Sequence, residues 1–109
     1  MRDFDYHLAA DVEAALEQLR ASEDGKLIAG GMTLLPTLKQ NLAAPTDLID
    51  LNGIAALRGI ALDGNVLTIK AMTIHADVGA SDVVRKAIPA LATLAGGIGD
   101  PAVRHRGTI

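Results

Sequence analysis

Two glycines set against the end of a short apolar run constrain this chain more than anything else in it. Lys26 to Ala29 has the length and character of a strand, and Gly30–Gly31 follows directly. From Thr33 to about Leu42 the pattern is helical, with Leu34, Leu35, Leu38 and Leu42 on one side. Pro36 fits that helix only in its first turn, where the N–H it lacks has no intrahelical acceptor. Ala44–Pro45 breaks the helix, and DLIDL, residues 47 to 51, reads as a second strand. Strand, helix and strand joined this tightly imply a βαβ unit with parallel pairing.

The flanks extend that reading to an α/β (α+β) fold in two parts. Asp11 caps a helix over residues 11 to 21, whose apolar stripe is Val12, Ala15, Leu16 and Leu19, and Gly25 serves as its left-handed exit. A short helical turn covers Ile54 to Leu57. Residues 58 to 72 then read as an antiparallel hairpin with Asp63–Gly64 at its tip. Short helices are expected over 73–79 and 81–88, capped by Thr73 and Ser81, and Pro89 opens another to Gly96. Gly96, Gly97 and Gly99 mark a helix exit, and the tail to Ile109 is loop-like. The change from parallel to antiparallel texture divides the chain into a first subdomain, 1–56, and the start of a second, 57–109.

Composition removes several function classes. Phe4 and Tyr6 are the only aromatics and the net charge is −3, so stacking platforms and a basic face for nucleic acid are missing. With no cysteine, the chain offers no disulfide and no thiolate ligand for zinc or an iron–sulfur cluster. No apolar run reaches the roughly 20 residues of a membrane span, and the acidic start is unlike a signal peptide. A cytoplasmic protein is expected.

The chemistry the residues suggest is anion binding by backbone. Two glycines let the chain turn sharply and let a ligand approach without meeting a Cβ. The helix start beyond them offers the N–H groups of Met32, Thr33, Leu34 and Leu35, with the Thr33 hydroxyl beside them. Lys26 lies about 13 Å back along a straight strand and takes no part. The turn matches neither GxGxxG nor a Walker pattern, so a plain βα connection explains it equally well on local grounds. Arg104, His105, Arg106, Gly107 and Thr108 form a basic loop that reads either as a second phosphate-facing loop or as a solvated tail. His7, His75 and His105 share no metal-ligand spacing, Asp3 and Asp5 sit on an alternating solvent-facing segment, and no nucleophile with a base partner is present.

Taken in order, LIAGGMTLLP, PTDLIDLNGIAALRGI, IKAMTIHADV and IGDPAVRHRGTI closely resemble the FAD-binding medium subunit of the molybdenum hydroxylases, the family of carbon monoxide dehydrogenase medium chains and xanthine dehydrogenase FAD domains. The resemblance implies the two-subdomain FAD-binding fold shared with vanillyl-alcohol oxidase flavoproteins. It implies that Ala29, Gly30, Gly31, Met32, Thr33 and Leu34 hold the FAD pyrophosphate. Thr108 and Ile109 match the start of a TIGGN loop that approaches the same cofactor. It further implies partner subunits, a large one with the molybdenum cofactor and a small one with iron–sulfur clusters, whose electrons pass through FAD to NAD or another acceptor. Lys70 stands where the family usually has glycine. The two glycines and asparagine after Thr108–Ile109 are absent, so the chain is expected to be an N-terminal fragment, inactive alone. The alternatives are a docking domain that no longer binds FAD and a module for a smaller phosphorylated ligand.

Overall fold

The computed structural model describes residues 1–109, which divide into two compact units, Met1–Ala55 and Ala56–Ile109. The first unit runs β1 (Asp5–Leu8), α1 (Val12–Ala21), β2 (Gly25–Ile28), α2 (Leu34–Lys39) and β3 (Asp47–Asp50). Its sheet has the order β1-β3-β2 with every pairing parallel, so β3 lies central. The expected βαβ unit is therefore present as β2–α2–β3. A central strand is covered on both sides and must be apolar there, and Leu48 and Ile49 of β3 are buried, with Ala9, Ala15, Leu38 and Ile54 completing the core.

Two local expectations give way in this unit. The helix after the glycines covers only Leu34–Lys39, because Asn41 adopts a left-handed φ of 56° and turns the chain away; Leu42 is left 73% exposed. Gly25 is the first residue of β2, not a helix exit. Ser22 ends α1 in extended conformation, with its hydroxyl donating to the Leu19 carbonyl. The N-terminal segment, read as alternating and solvent-facing about Asp3 and Asp5, supplies a third strand from Asp5 onward. Asp11 does cap α1, accepting from the Ala14 N–H at 2.7 Å.

The second unit opens with a 3₁₀ turn at Ala55–Leu57 and the hairpin β4 (Ile60–Asp63) and β5 (Val66–Ile69). The two-residue loop is Gly64–Asn65, one residue beyond the expected tip, and Gly64 takes the positive φ of 59° that the turn demands. Then come α3 (His75–Ala80), α4 (Asp82–Ala87), α5 (Pro89–Gly96) and α6 (Pro101–Arg104). Ser81 caps α4 as expected. Val78, Val84, Ala92 and Ala95 form the core here, with Ile60, Leu67, Ile69 and Leu91 packed on it. Helices α3 and α5 meet with no side chain between them: a Cβ on Gly79 would lie 2.8 Å from the backbone of Gly96. The segment read as a loop-like tail is ordered by α6, whose N-cap is Asp100. No helix is long and apolar enough to cross a membrane.

Candidate functional site

The turn after β2 begins where the parallel ladder ends. The Leu51 N–H reaches the Ile28 carbonyl at 3.0 Å, and beyond Ile28 the strand peels away. Gly30 is buried and Gly31 has φ +80°, a region that costs an L-residue about 1–2 kcal/mol. A Cβ on Gly31 would also meet Leu35 Cδ1 at 2.9 Å. The backbone angle favours glycine at 31, while the Leu35 methyl is the end of a side chain that can move aside. The N–H groups of Gly30, Gly31, Met32, Thr33 and Leu34 donate to no group of the chain, while Leu35 N–H is spent on the Gly31 carbonyl at 3.0 Å. Leu35 therefore leaves the donor set expected from the sequence. Met32 and Thr33 are exposed, and the Thr33 hydroxyl caps nothing.

These residues fit a phosphate group. Successive free amides with no Cβ in the way, beside one free hydroxyl, form a donor set without a basic side chain. The helix beyond is only six residues long, so the amides of the turn, more than a helix dipole, supply the attraction.

The turn is held from β3 by a network that sequence reading missed. Asn52 Nδ2 donates to the Ala29 carbonyl at 2.9 Å and to Asp50 Oδ1 at 2.7 Å. The Asn52 backbone N–H reaches the same oxygen at 2.9 Å. Tyr6 Oη donates to Asp50 Oδ2, and that bond holds the Tyr6 phenol above its ordinary pKa. Only the polar Asn-Gly step closing the second strand hinted at this. At the other end of β3, His7 Nε2 lies 2.8 Å from Asp47 Oδ1 and the Thr46 hydroxyl donates to Asp47 Oδ2, which together hold the Asp47 carboxyl below its usual range.

The second candidate segment, Gly107 to Ile109, is stitched into its own unit. Ile74 and Thr108 form an antiparallel bridge, with His75 N–H on the Gly107 carbonyl at 3.0 Å and Ile109 N–H on the Thr73 carbonyl at 3.1 Å. Ile109 thus has no amide to spare, whereas the N–H and hydroxyl of Thr108 are uncommitted. Gly107 is buried, and a Cβ there would lie 3.1 Å from the His75 ring. Thr73 caps no helix. It is buried, and its hydroxyl bonds both the N–H and the carbonyl of Gly59, at 3.1 and 3.2 Å; Ile74 is the N-cap of α3 instead. Arg104 turns back onto the Ile98 and Gly99 carbonyls, at 3.3 and 3.0 Å. Lys70 is exposed, with its N–H on the Gly59 carbonyl and its carbonyl accepting from the Thr73 N–H, and a side chain is accommodated there.

Residues 2–109 match the family described as the FAD binding domain in molybdopterin dehydrogenase. The carbon monoxide dehydrogenase medium chain of Hydrogenophaga pseudoflava is 45% identical over 107 residues, which are 97% of this chain and 37% of that one. The xanthine dehydrogenase FAD-binding subunit of Escherichia coli O157:H7 is 32% identical over 111 residues, 99% of this chain and 38% of the relative. In three dimensions, the structure of carbon monoxide dehydrogenase from Hydrogenophaga pseudoflava superposes with a TM-score of 0.93 at 44% identity, covering 98% of this chain and 38% of that chain. Quinoline 2-oxidoreductase from Pseudomonas putida 86 gives 0.94 at 32% identity over the same shares. The chain thus spans 37–38% of the length of these relatives. Its mixed α/β fold is that of their FAD-binding subunits, and the chain belongs to the FAD-binding domain family of the molybdopterin dehydrogenases.

Proposed function

We propose that these residues hold FAD in the medium subunit of a molybdenum-containing hydroxylase or dehydrogenase, in the cytoplasm. There the subunit passes electrons from iron–sulfur clusters on a partner through FAD to NAD or another acceptor. The observation that carries this reading is the run of uncommitted amides from Gly30 to Leu34, at a turn whose backbone favours glycine, in a chain of this family. Ala29 to Leu34 would hold the pyrophosphate through backbone N–H groups and the Thr33 hydroxyl. Thr108 would contribute its N–H and hydroxyl, and Ile109 its carbonyl and side chain. In this reading 1–56 and 57–109 are two cofactor-binding subdomains, the second incomplete.

FAD, when bound, supplies the redox chemistry; the residues named here bind and orient it. In this reading, which the family resemblance carries, the iron–sulfur clusters and the molybdenum cofactor belong to a small and a large partner subunit. Several relatives named as medium chains or subunits support that setting. The chain by itself therefore turns over no substrate.

Flavin absorbance and fluorescence of the purified chain test the reading. Saturable quenching of added FAD is expected, with weak binding that desalting removes. Gly30→Val, which places a branched side chain at the backbone approach, abolishes it while the far-ultraviolet circular dichroism stays unchanged. Absence of quenching by the unsubstituted chain at high micromolar FAD would leave a docking domain in its place.

A further inference from the structure

We infer that Asn52, oriented by Asp50, is the positioning residue of the Gly30–Gly31 turn, taking over from the β2–β3 ladder at the point where β2 leaves the sheet. The inference rests on the cofactor reading of that turn and names the group that shapes it.

The ladder provides the first half of the argument. Register pairs Ile28 with Asp50, and Leu51 N–H holds the Ile28 carbonyl at 3.0 Å. Continued for another residue, the pairing would draw the glycines into the sheet and their amides into its hydrogen bonds. Instead a side chain, Asn52 Nδ2, takes the next carbonyl, that of Ala29, at 2.9 Å. Because a trans peptide is planar, its C=O and N–H point in opposite directions. Fixing the Ala29 carbonyl toward Asn52 therefore fixes the Gly30 N–H away from it, and that N–H is the first of the uncommitted donors.

Asp50 provides the second half. An asparagine amide can rotate to present either oxygen or nitrogen. Here both acceptors facing it, the Ala29 carbonyl and Asp50 Oδ1, demand the NH₂ group, and the Asn52 N–H on the same carboxylate oxygen holds the two residues together. Tyr6 Oη on Asp50 Oδ2 steadies the carboxylate from β1. A relay of three side chains, two on the sheet and Asn52 just past the end of β3, thus ends on the carbonyl that starts the turn. Leucine at 52 has nearly the same shape and no donor, so it leaves the Ala29 carbonyl unheld.

The test is a pair of measurements on Asn52→Leu and Tyr6→Phe. In ¹⁵N–¹H spectra of the chain, Asn52→Leu is expected to displace the Gly30 and Gly31 amide resonances more than that of Leu51, whose ladder bond is untouched. In FAD titrations followed by flavin fluorescence, it weakens binding about five- to tenfold, the loss of one hydrogen bond. Tyr6→Phe, which removes one exposed hydroxyl and keeps the fold, moves the same two resonances by less. Asn52→Gln, which retains the amide on a longer stem, recovers part of the binding. Should the Gly30 and Gly31 resonances stay in place in both Asn52→Leu and Tyr6→Phe, the inference is overturned, whatever FAD does. If FAD leaves the Gly30–Leu34 amides of the unsubstituted chain unmoved, the cofactor reading of the turn fails instead, while the variant spectra still decide the role of Asn52.

Discussion

The turn after β2 and the tail after α6 are both short, glycine-containing segments, and they are built in opposite ways. In the turn the carbonyls of Ala29 and Gly31 are engaged and the amides are free: Asn52 holds Ala29, Leu35 N–H holds Gly31, and the N–H groups from Gly30 to Leu34 are left over. In the tail the Gly107 carbonyl and the Ile109 amide are both committed to the strand-like stretch at Thr73–His75. A segment that must offer several donors cannot use them to hold itself. It takes its shape from glycine's freedom at Gly31 and from side chains acting on its carbonyls. In the cofactor reading the tail offers hydrogen-bond donors at Thr108 alone, so it can be sewn down on both sides.

This contrast can be broken most forcefully from the tail. Thr73→Val removes a buried hydroxyl that accepts from the Gly59 N–H and shares the Gly59 carbonyl with the Lys70 N–H, and it leaves that Gly59 N–H without its partner. The expected loss is about 2 kcal/mol in urea unfolding, accompanied by faster hydrogen exchange at Ile109 N–H, whose acceptor is the Thr73 carbonyl. Unchanged exchange at Ile109 would show that the tail does not depend on this anchor.

In the turn the corresponding substitution is Gly31→Ala. It costs about 1 kcal/mol through the left-handed φ, since the Leu35 methyl that a Cβ would meet can move aside. Its larger expected effect is on FAD affinity, because the free amides shift together. An equal fall in stability and no fall in FAD binding would mean that the turn is held like the tail.

The smallest effect is one of pH and belongs to the unit that carries the turn. Asp47 has its carboxyl lowered by His7 and Thr46, so its contribution to stability is fully present above the unfolded-state pKa and is lost as pH falls through the folded-state value. Urea midpoints should drop on acidification below about pH 4, and His7→Phe should flatten that drop. A midpoint independent of pH over that range in the unsubstituted chain would remove the network from the account.

Much of this was legible in the residues, and the losses share a cause. The βαβ unit, the hairpin and the caps at Asp11 and Ser81 depend on neighbours a few positions away, so sequence spacing finds them. Strand β1 pairs with residues some forty positions on, at the rim of its sheet, so the alternation about Asp3 and Asp5 shows a solvent-facing segment but not its partner. Thr73 was read as a cap because its partner, Gly59, lies 14 positions back. The stripe through Leu42 overran the helix because a left-handed Asn41 is invisible to periodicity. At the candidate site, local chemistry singled out the glycines and Thr33, and the family motif extended the proposed set to Thr108 and Ile109. Asn52 was missed because its partner is a backbone carbonyl 23 positions away, which carries no side-chain signature.

The crossing of α3 and α5 is lopsided in a way that bears on how the sequence can drift. A Cβ on Gly79 would strike backbone atoms of Gly96 at 2.8 Å, whereas a Cβ on Gly96 would pass 4.0 Å from the Gly79 Cα. The two glycines touch, yet only one is obligatory. No replacement elsewhere makes room for a side chain at 79, since the obstruction is main chain. Alanine at 96 fits without adjustment of α3, and in a helix it is the better residue by about 1 kcal/mol. Among descendants of this chain, position 96 is free to wander and position 79 is not.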